Sequence, residues 1–341
     1  MRYFSIFAGI GGFEYGIRCA FYKQLAKKFV LREGWDWDAY KVEPNVLPTG
    51  GATPLCVGFS EVDKWAKTIY KQQFKGHKDY GDATRIKWDE VEDFELLVGG
   101  FPCQAFSIAG QRRGFNDTRG TLFFEIAKAL REKQPRLFLI ENVRGLLSHD
   151  KGHTFFTILT TLDDLGYDLQ WEVCNSKDFG VPQNRDRVFI VGHLRGTSRP
   201  KVFPFGRQSS KDAKESGKEQ KGRSWVSTLD SRYGERWSTE TYVRTEKKAI
   251  AVLTPDRAEK RQNGRRMKED GEPSFTLTGQ DIHGVYNGDR IRRLTPIECE
   301  RLQGFPDNWT KGLSDCQRYK CLGNAVTTNV ITAIIERMYY G

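Results

Sequence analysis

Seven cysteines are scattered through the chain, at Cys19, Cys56, Cys103, Cys174, Cys299, Cys316 and Cys321, with no C-x-x-C pair and no matching histidine spacing. That absence leaves neither a zinc site nor a disulfide framework indicated. Histidine is scarce: the five are His77, His149, His153, His193 and His283, none in a recognisable dyad context, so a thiol hydrolase is the weakest of the enzyme classes. No apolar run approaches the length that spans a bilayer, and the opening MRYFSIFAG is too short in apolar residues for a signal segment. The expectation is a reducing, cytosolic setting, with no membrane and no metal. No internal repeat is visible. What the chain has in excess is positive charge. Lys and Arg outnumber Asp and Glu by 54 to 44, a formal +10, which fits a polyanionic partner as well as a merely basic enzyme. At 341 residues there is room for one large domain and one smaller one.

Strand candidates are Tyr3–Phe7, Pro54–Phe59, Phe94–Val98, Arg136–Ile140, Leu169–Cys174 and Arg187–Val191. Between them, TLFFEIAKALREKQP spaces Leu122, Phe123, Ile126, Ala127 and Leu130 as a helix, and HTFFTILTTLDDLGY does the same with Phe155, Phe156, Leu159, Leu162 and Leu165. This alternation predicts an α/β fold with a mostly parallel sheet covered on both faces. From about Arg195 the text turns polar and charged, RGTSRPKVFPFGRQSSKDAKESGKEQKGR, and reads as a long exposed loop at a domain boundary. Beyond it, SFTLTG and GVYNGDRIRRL lean towards β structure in a small irregular domain. Thr295-Pro296-Ile297-Glu298 is a capping box with Pro at the first helical position. NAVTTNVITAIIERMYY reads as an apolar closing helix that packs back on the large domain. The expected division is a large domain over 1–194, completed by 318–341, and a smaller one over 195–317. REGWDWDAYKVEPNVLPTGG, with Trp35, Trp37 and Tyr40, reads as an insertion near the first helix whose role is open.

Chemistry gathers at predicted strand ends, where open α/β sheets bind ligands. FSIFAGIGGFEYGI puts Phe7, Gly9, Gly11 and Gly12 between the first strand and a helix, so backbone can approach a ligand closely; a tight turn without a ligand is the plainer alternative. Glu61 ends the second strand, placed to accept ribose hydroxyls, and Asp82 lies at the next turn, where a carboxylate can accept from an adenine amino group. With no phosphate-gripping Lys after the glycines, the set fits an adenosine-containing cofactor better than a phosphate-bearing one. In VGGFPCQAFSIAG, glycines and Pro102 break a buried strand just before Cys103. Glu141 and Asn142 end another apolar strand, where desolvation raises a carboxyl pKa and suits a proton donor; neutralisation by an arginine is the competing reading. Arg185 and Arg187 share one face of FGVPQNRDRVFIVG, placed to hold a carbonyl oxygen, a phosphate or that glutamate.

The ordered set Phe7-Ala-Gly-Ile-Gly-Gly12, Glu61, Asp82, Pro102-Cys-Gln-Ala-Phe-Ser107, Glu141-Asn-Val143, Gln183-Asn-Arg-Asp-Arg187, RRLTPIECERLQGFPDNW and YKCLGNAVTTNVI resembles the DNA (cytosine-5) methyltransferases over nearly the whole chain. The resemblance implies a Rossmann-like S-adenosylmethionine-dependent sheet with a second, smaller β-rich DNA-recognition domain. It also implies Cys103 as the nucleophile that adds to cytosine carbon 6, and Glu141 as the group bonded to ring nitrogen 3 and the amino group. Arg187 is expected on the ring carbonyl, and Arg185 is expected to hold Glu141 and lower the thiol pKa. Around S-adenosylmethionine it places Phe7, Gly9, Ile10, Gly11, Gly12, Glu61, Val62, Asp82, Ala83, Leu122 and Asn324, the last of which reads equally as a turn-former at a helix start. On the DNA side it places Pro102, Ser107, Arg119, Asn142 and Gln183. Residues 106–120 form the implied mobile loop that closes over a flipped-out base.

Residues 195–289 are then expected to recognise the DNA sequence, with Arg232, Tyr233, Arg244, Gln280 and His283 as candidate base readers. The expected partner is double-stranded DNA, the expected state a monomer, and a cognate restriction endonuclease the expected genetic partner. With no chromatin-reading module visible, the implied setting is prokaryotic or viral, cytoplasmic and nucleoid-associated. An RNA cytosine-5 methyltransferase on the same scaffold and a catalytically silent DNA-binding relative are the alternatives.

Overall fold

The computed structural model describes residues 1–33, 53–101, 122–205, 249–255, 265–279, 281–286 and 291–340. The first two hundred residues yield β1 (Arg2–Ile6), α1 (Gly12–Glu33), β2 (Leu55–Ser60), α2 (Lys64–Gln73), β3 (Leu96–Gly100), α3 (Phe123–Lys133), β4 (Leu137–Val143), α4 (His153–Asp164), β5 (Tyr167–Asn175) and β6 (Asp186–Leu194). They form one sheet in the order β2-β1-β3-β4-β6-β5. The four strands from β2 to β4 are parallel, whereas β6 runs antiparallel to both β4 and β5. The chain between β5 and β6 is too short for the crossover that a parallel pair demands, so the sheet is mixed at that end.

Side chains alternate across the sheet. Phe4, Ile6, Leu97, Phe138 and Ile140 join one buried cluster with α3 and α4 residues such as Phe123, Ile126, Leu130, Ile158 and Leu162. Tyr3, Leu96, Val98, Leu137 and Leu139 face the other way, onto Phe13 and Ile17 of α1 and Ile331, Ile334 and Ile335 of the closing helix. The strands are apolar on both faces because both faces are covered. The predicted loop after Arg195 begins as ordered chain: Val202 and Phe203 are buried, and the Gln170 side chain accepts from both of their amides and donates to Pro200 O. Glu172 likewise accepts from Phe205 N, so side chains of β5 occupy the outer edge of the sheet.

A second, antiparallel sheet holds β7 (Ile250–Leu253), β8 (His283–Tyr286) and β9 (Ile291–Arg293). It leads into α5 (Pro296–Leu302), α6 (Asp315–Asn324) and α7 (Thr328–Tyr340). The capping box forms as predicted: Glu298 N donates to Thr295 Oγ1 at 3.2 Å and Thr295 N donates to the Glu298 carboxylate at 2.7 Å. Leu277, Val285, Leu294, Leu302, Phe305, Trp309 and Leu322 make a third apolar cluster with Ala8, Ile10, Phe59, Tyr70 and Phe74, so the second sheet is packed against the start of the first. The closing helix and the turn before it seat on α1 where two glycines leave room, since a Cβ at Gly16 would press into Ile331 of the helix and one at Gly12 into Val326 of the turn. No helix among the described residues is long and apolar enough to cross a membrane.

Candidate active site

The carboxyl ends of the parallel strands meet at one edge, and the turn after β1 is shaped by three left-handed residues, Phe7 (φ 56°), Gly9 (φ 59°) and Gly11 (φ 85°). Positive φ at a phenylalanine is uncommon and costs backbone energy, a feature that gathers at ligand sites. The turn is held from β2: Ala8 N donates to Ser60 O at 3.0 Å and Gly9 N donates to Glu61 Oε2 at 2.7 Å. Glu61 Oε1 accepts from Val62 N at 2.8 Å and from Asp63 N at 2.7 Å, so three backbone donors fix this carboxylate. A carboxylate offers about four acceptor directions, which leaves room for a hydroxyl. Beside it Val62 is 66% exposed, and the space off Gly9 is open, with nothing within 4 Å of where a Cβ would stand. At the next turn Asp82 accepts from Thr84 N and Oγ1, both at 2.9 Å, and these bonds hold its carboxyl below the usual range. Ala83 is buried behind it, and Leu122 is half-buried at the start of α3, where Glu125 feels the charge of Asp82.

The other half of the edge belongs to β3, β4 and β6. The glycines after Val98 do not break β3, as the sequence suggests; they continue it, with Gly99 opposite Ile140 and Gly100 opposite Glu141. Their role is steric. A Cβ on Gly100 would lie 2.9 Å from Glu141 Oε2. Glu141 is clamped on its other oxygen by Arg187, whose Nε is 2.9 Å from Oε1. Burial is the largest influence and holds the Glu141 carboxyl above its ordinary range, although Arg187 and then Arg185 pull it down. The two readings of this glutamate, a desolvated acid and an arginine-paired one, are therefore both present. Asn142 is buried and donates from Nδ2 to Phe101 O at 2.9 Å, while its Oδ1 accepts from Val143 N. It thus holds the last described peptide before Pro102 and Cys103.

Arg185 and Gln183 lie elsewhere than expected. Arg185 is 2% exposed and donates from Nη1 to Leu277 O at 2.7 Å and from Nη2 to Gly323 O at 3.1 Å and Ala325 O at 2.7 Å. Glu141 is held directly by Arg187; Arg185 acts on it only through space. Burial pushes the Arg185 guanidinium down to about 9, with Arg187 adding to the shift. Gln183 is fully buried, accepts from Leu277 N at 3.0 Å and donates to Leu302 O at 2.8 Å, so both ends of its amide are used inside the protein. Arg185 and Arg187 do alternate in an extended chain, but their partners differ because Arg185 enters the third apolar cluster while Arg187 stays at the sheet edge.

Residues 50–340 match the family described as C-5 cytosine-specific DNA methylase. The chain belongs to this family. Its relatives include the Type II methyltransferase M1.ScrFI of Lactococcus lactis subsp. cremoris, 41% identical over 293 residues, 82% of this chain and 70% of that protein. The orphan methyltransferase M.SPRI of Bacillus phage SPR is 30% identical over 464 aligned positions, covering 100% of this chain and 98% of its own. In fold, the chain resembles the S. pombe Dnmt2 methyltransferase, with a TM-score of 0.60 at 16% identity over 98% of this chain and 97% of that one. The Rossmann-like methyltransferase sheet and the small second sheet expected from the sequence are both present.

For this methylase, the positions of Pro102, Cys103, Ser107, Arg119, Arg232, Tyr233, Arg244 and Gln280 lie outside the described residues, as does the insertion bearing Trp35, Trp37 and Tyr40. Of the candidate base readers only His283 is described; its Nε2 accepts from Thr278 N at 3.4 Å, and burial pushes it down to about 4. Asn324 ends α6 and does not open the closing helix, which starts at Thr328. The chain between is held extended, with Ala325 O taken by Arg185 and Thr327 Oγ1 bonded to Gln303 and to Ser176 Oγ. Sequence reasoning missed Gly100, whose signal was its place three residues before Cys103 in register with Glu141. It also missed Glu14, a buried carboxyl in the first turn of α1 that accepts from Tyr70 Oη at 3.0 Å and is pushed up to about 7 by burial.

Proposed function

We propose that this methylase transfers a methyl group to carbon 5 of a cytosine flipped out of duplex DNA at a specific sequence, through a covalent Cys103 adduct. The observation that carries the reading is the buried Glu141–Arg187 pair at 2.9 Å, on the strand in register with the one that leads into Pro102–Cys103. The residues of the β1–β2 edge fit S-adenosylmethionine: an oriented Glu61 carboxylate for hydroxyls, an exposed apolar Val62 for the flat ring, open space at Gly9, and an ionised Asp82. Phe7, Ile10, Gly11, Gly12, Ala83, Leu122 and Asn324 complete the set that would hold it. When bound, that cofactor supplies a methyl group on a positive sulfur.

Carbon 5 of cytosine is a weak nucleophile. The Cys103 thiolate forms a sulfur–carbon bond at carbon 6, and the displaced electron pair is drawn towards ring nitrogen 3. Glu141, which burial keeps protonated to higher pH than a free carboxyl, gives its proton to that nitrogen, and Arg187 lies beside it to meet the ring carbonyl oxygen. Carbon 5, now electron-rich, takes the methyl group. A water molecule takes the carbon 5 proton, whose bonding pair forms the carbon 5–carbon 6 double bond as the sulfur–carbon bond breaks and the thiolate leaves, and ring nitrogen 3 returns its proton to Glu141. Such chemistry needs the base out of the stack, and 106–120 is the segment proposed to close over it.

We assign residues 1–194 with 318–341 to catalysis and 195–317 to target recognition and the hinge. The setting proposed is a monomer in the bacterial cytoplasm, near the nucleoid; a genetic pairing with a restriction endonuclease is supported by relatives such as the Type II methyltransferase M1.ScrFI. The test is incubation of wild type and Cys103→Ser with S-adenosylmethionine and duplex DNA carrying 5-fluorocytosine. A denaturant-resistant adduct with wild type alone supports the reading, and its mapped position gives the recognition site. An adduct only on fluorinated RNA moves the substrate to RNA, and none on either overturns the role of Cys103.

A further inference from the structure

The segment Ser274–Gly279, just upstream of β8, is bonded along its length to the chain that enters β6. Ser274 N donates to Pro182 O at 2.8 Å, Asn184 N to Ser274 O at 3.0 Å, and Thr276 Oγ1 to Asn184 O at 2.5 Å. Leu277 is taken on both sides, its N–H by Gln183 Oε1 and its carbonyl by Arg185 Nη1. The same two side chains reach further. Gln183 Nε2 holds Leu302 O in α5, and Arg185 Nη2 holds Gly323 O and Ala325 O, on either side of Asn324. Contact here is close enough that a Cβ on Gly323 would overlap the Thr278–Gly279 peptide, and one on Gly279 would stand 3.2 Å from Asn324 Oδ1. Two residues beyond Arg185, Arg187 clamps Glu141.

We propose that Gln183 and Arg185 are positioning residues that tie Ser274–Gly279 to the Glu141–Arg187 pair and to the α6–α7 turn, so that DNA engaged by the second sheet alters cofactor affinity. The inference rests on the proposed DNA reading by that sheet. It replaces the expectation that Gln183 touches DNA, because the side chain is fully buried and both ends of its amide are bonded inside the protein. Leu277 shares an apolar cluster with Val285 of β8, and Thr278 N donates to His283 Nε2, so a displaced β8 pulls on Leu277, which is bonded to the two residues that border the catalytic and cofactor halves. Binding at one side must then change binding at the other by a reciprocal factor.

The experiment measures the affinity of the full chain for S-adenosylhomocysteine by calorimetry, with and without a duplex that the wild type methylates. The expected result is that DNA tightens binding by a factor of about 10, within the usual range for coupled sites. In Gln183→Leu the factor should fall to about 2 or less, with the mapped methylation sequence unchanged. Thr276→Val, a milder change at a half-exposed residue, should lower the factor partway and keeps the test open if Gln183→Leu does not fold. A Gln183→Leu enzyme that melts earlier but keeps the full coupling factor overturns the inference, as does one that methylates a relaxed sequence, which would return Gln183 to base reading. A wild type that methylates DNA without any coupling overturns the inference alone; a wild type inactive on every duplex overturns the functional reading beneath it.

Discussion

Arg187 and Glu141 form a diagonal pair: in the β4–β6 ladder Glu141 stands opposite Phe189 and Arg187 opposite Val143, yet the side chains meet at 2.9 Å. The diagonal matters because it places a cation beside one carboxylate oxygen and leaves the other over Gly100. Glu141→Gln keeps the shape of the group and removes its proton. Methyl transfer in single turnover should fall by about 10² to 10⁴, the usual worth of a positioned acid, while DNA binding stays. In the wild type the rate should decline as pH rises through the elevated Glu141 pKa, and the glutamine variant should lose that limb. An unchanged profile would take Glu141 out of proton transfer.

Gly100→Ala tests the space itself. A methyl group 2.9 Å from Glu141 Oε2 must push the carboxyl away, and displacement by about 1 Å is enough to cost about 10² in rate. The melting temperature should move little, because Gly100 has no left-handed φ among the described glycines that do. Equal rates in the two proteins would show that the carboxyl finds another productive position.

Glu61→Gln should weaken S-adenosylhomocysteine binding by about 10- to 100-fold, since hydrogen bonds to a charged group are each worth about 1.5–3 kcal/mol. The change also turns an amide N–H towards one of the three backbone donors that now fix this side chain. Calorimetry at constant pH reads it directly. Unaltered affinity would detach Glu61 from the cofactor.

Glu14 offers a stability test. Its folded pKa of about 7 lies above the ordinary 4.5, so the protonated form favours folding; that stability is complete below about pH 4.5 and is lost as pH rises through 7. The difference amounts to about 3 kcal/mol. Glu14→Gln should therefore match the wild type in urea melts at about pH 4 and exceed it at about pH 8, with the difference isolating Glu14 from His77, which burial pushes the opposite way to about 4. A constant gap between the two proteins would contradict the shift.

The sheet and its edge were legible because strand ends carry their own marks: Glu61 and Glu141 each follow an apolar run, Asp82 sits in a polar turn just after Gly81, and the capping box at Thr295 is local chemistry. What sequence could not distinguish was which of two alternating arginines faces inwards. Period two fixes that Arg185 and Arg187 share a face in an extended chain, but the carbonyls of Leu277, Gly323 and Ala325 that draw Arg185 away are up to 140 residues distant. Gln183 was misplaced for the same reason. The antiparallel β6 was hidden too, since an apolar strand reads alike in either direction, and only the brevity of the chain before it favours reversal.

The seating of α7 on α1 at Gly16, where a Cβ would press into Ile331, ties the thirteen residues from Thr328 to Tyr340 to the helix that starts at Gly12. The glycine turn, Cys103, Glu141 and Arg187 all precede that cover in the chain by more than a hundred residues. A nascent chain halted short of Thr328 holds every proposed reacting group, yet leaves the Phe13–Ile17 face of α1 bare to solvent and Thr332 unable to bond Gly16 O. The helix that follows the glycine turn thus takes its cover from a segment 316 residues further along the chain.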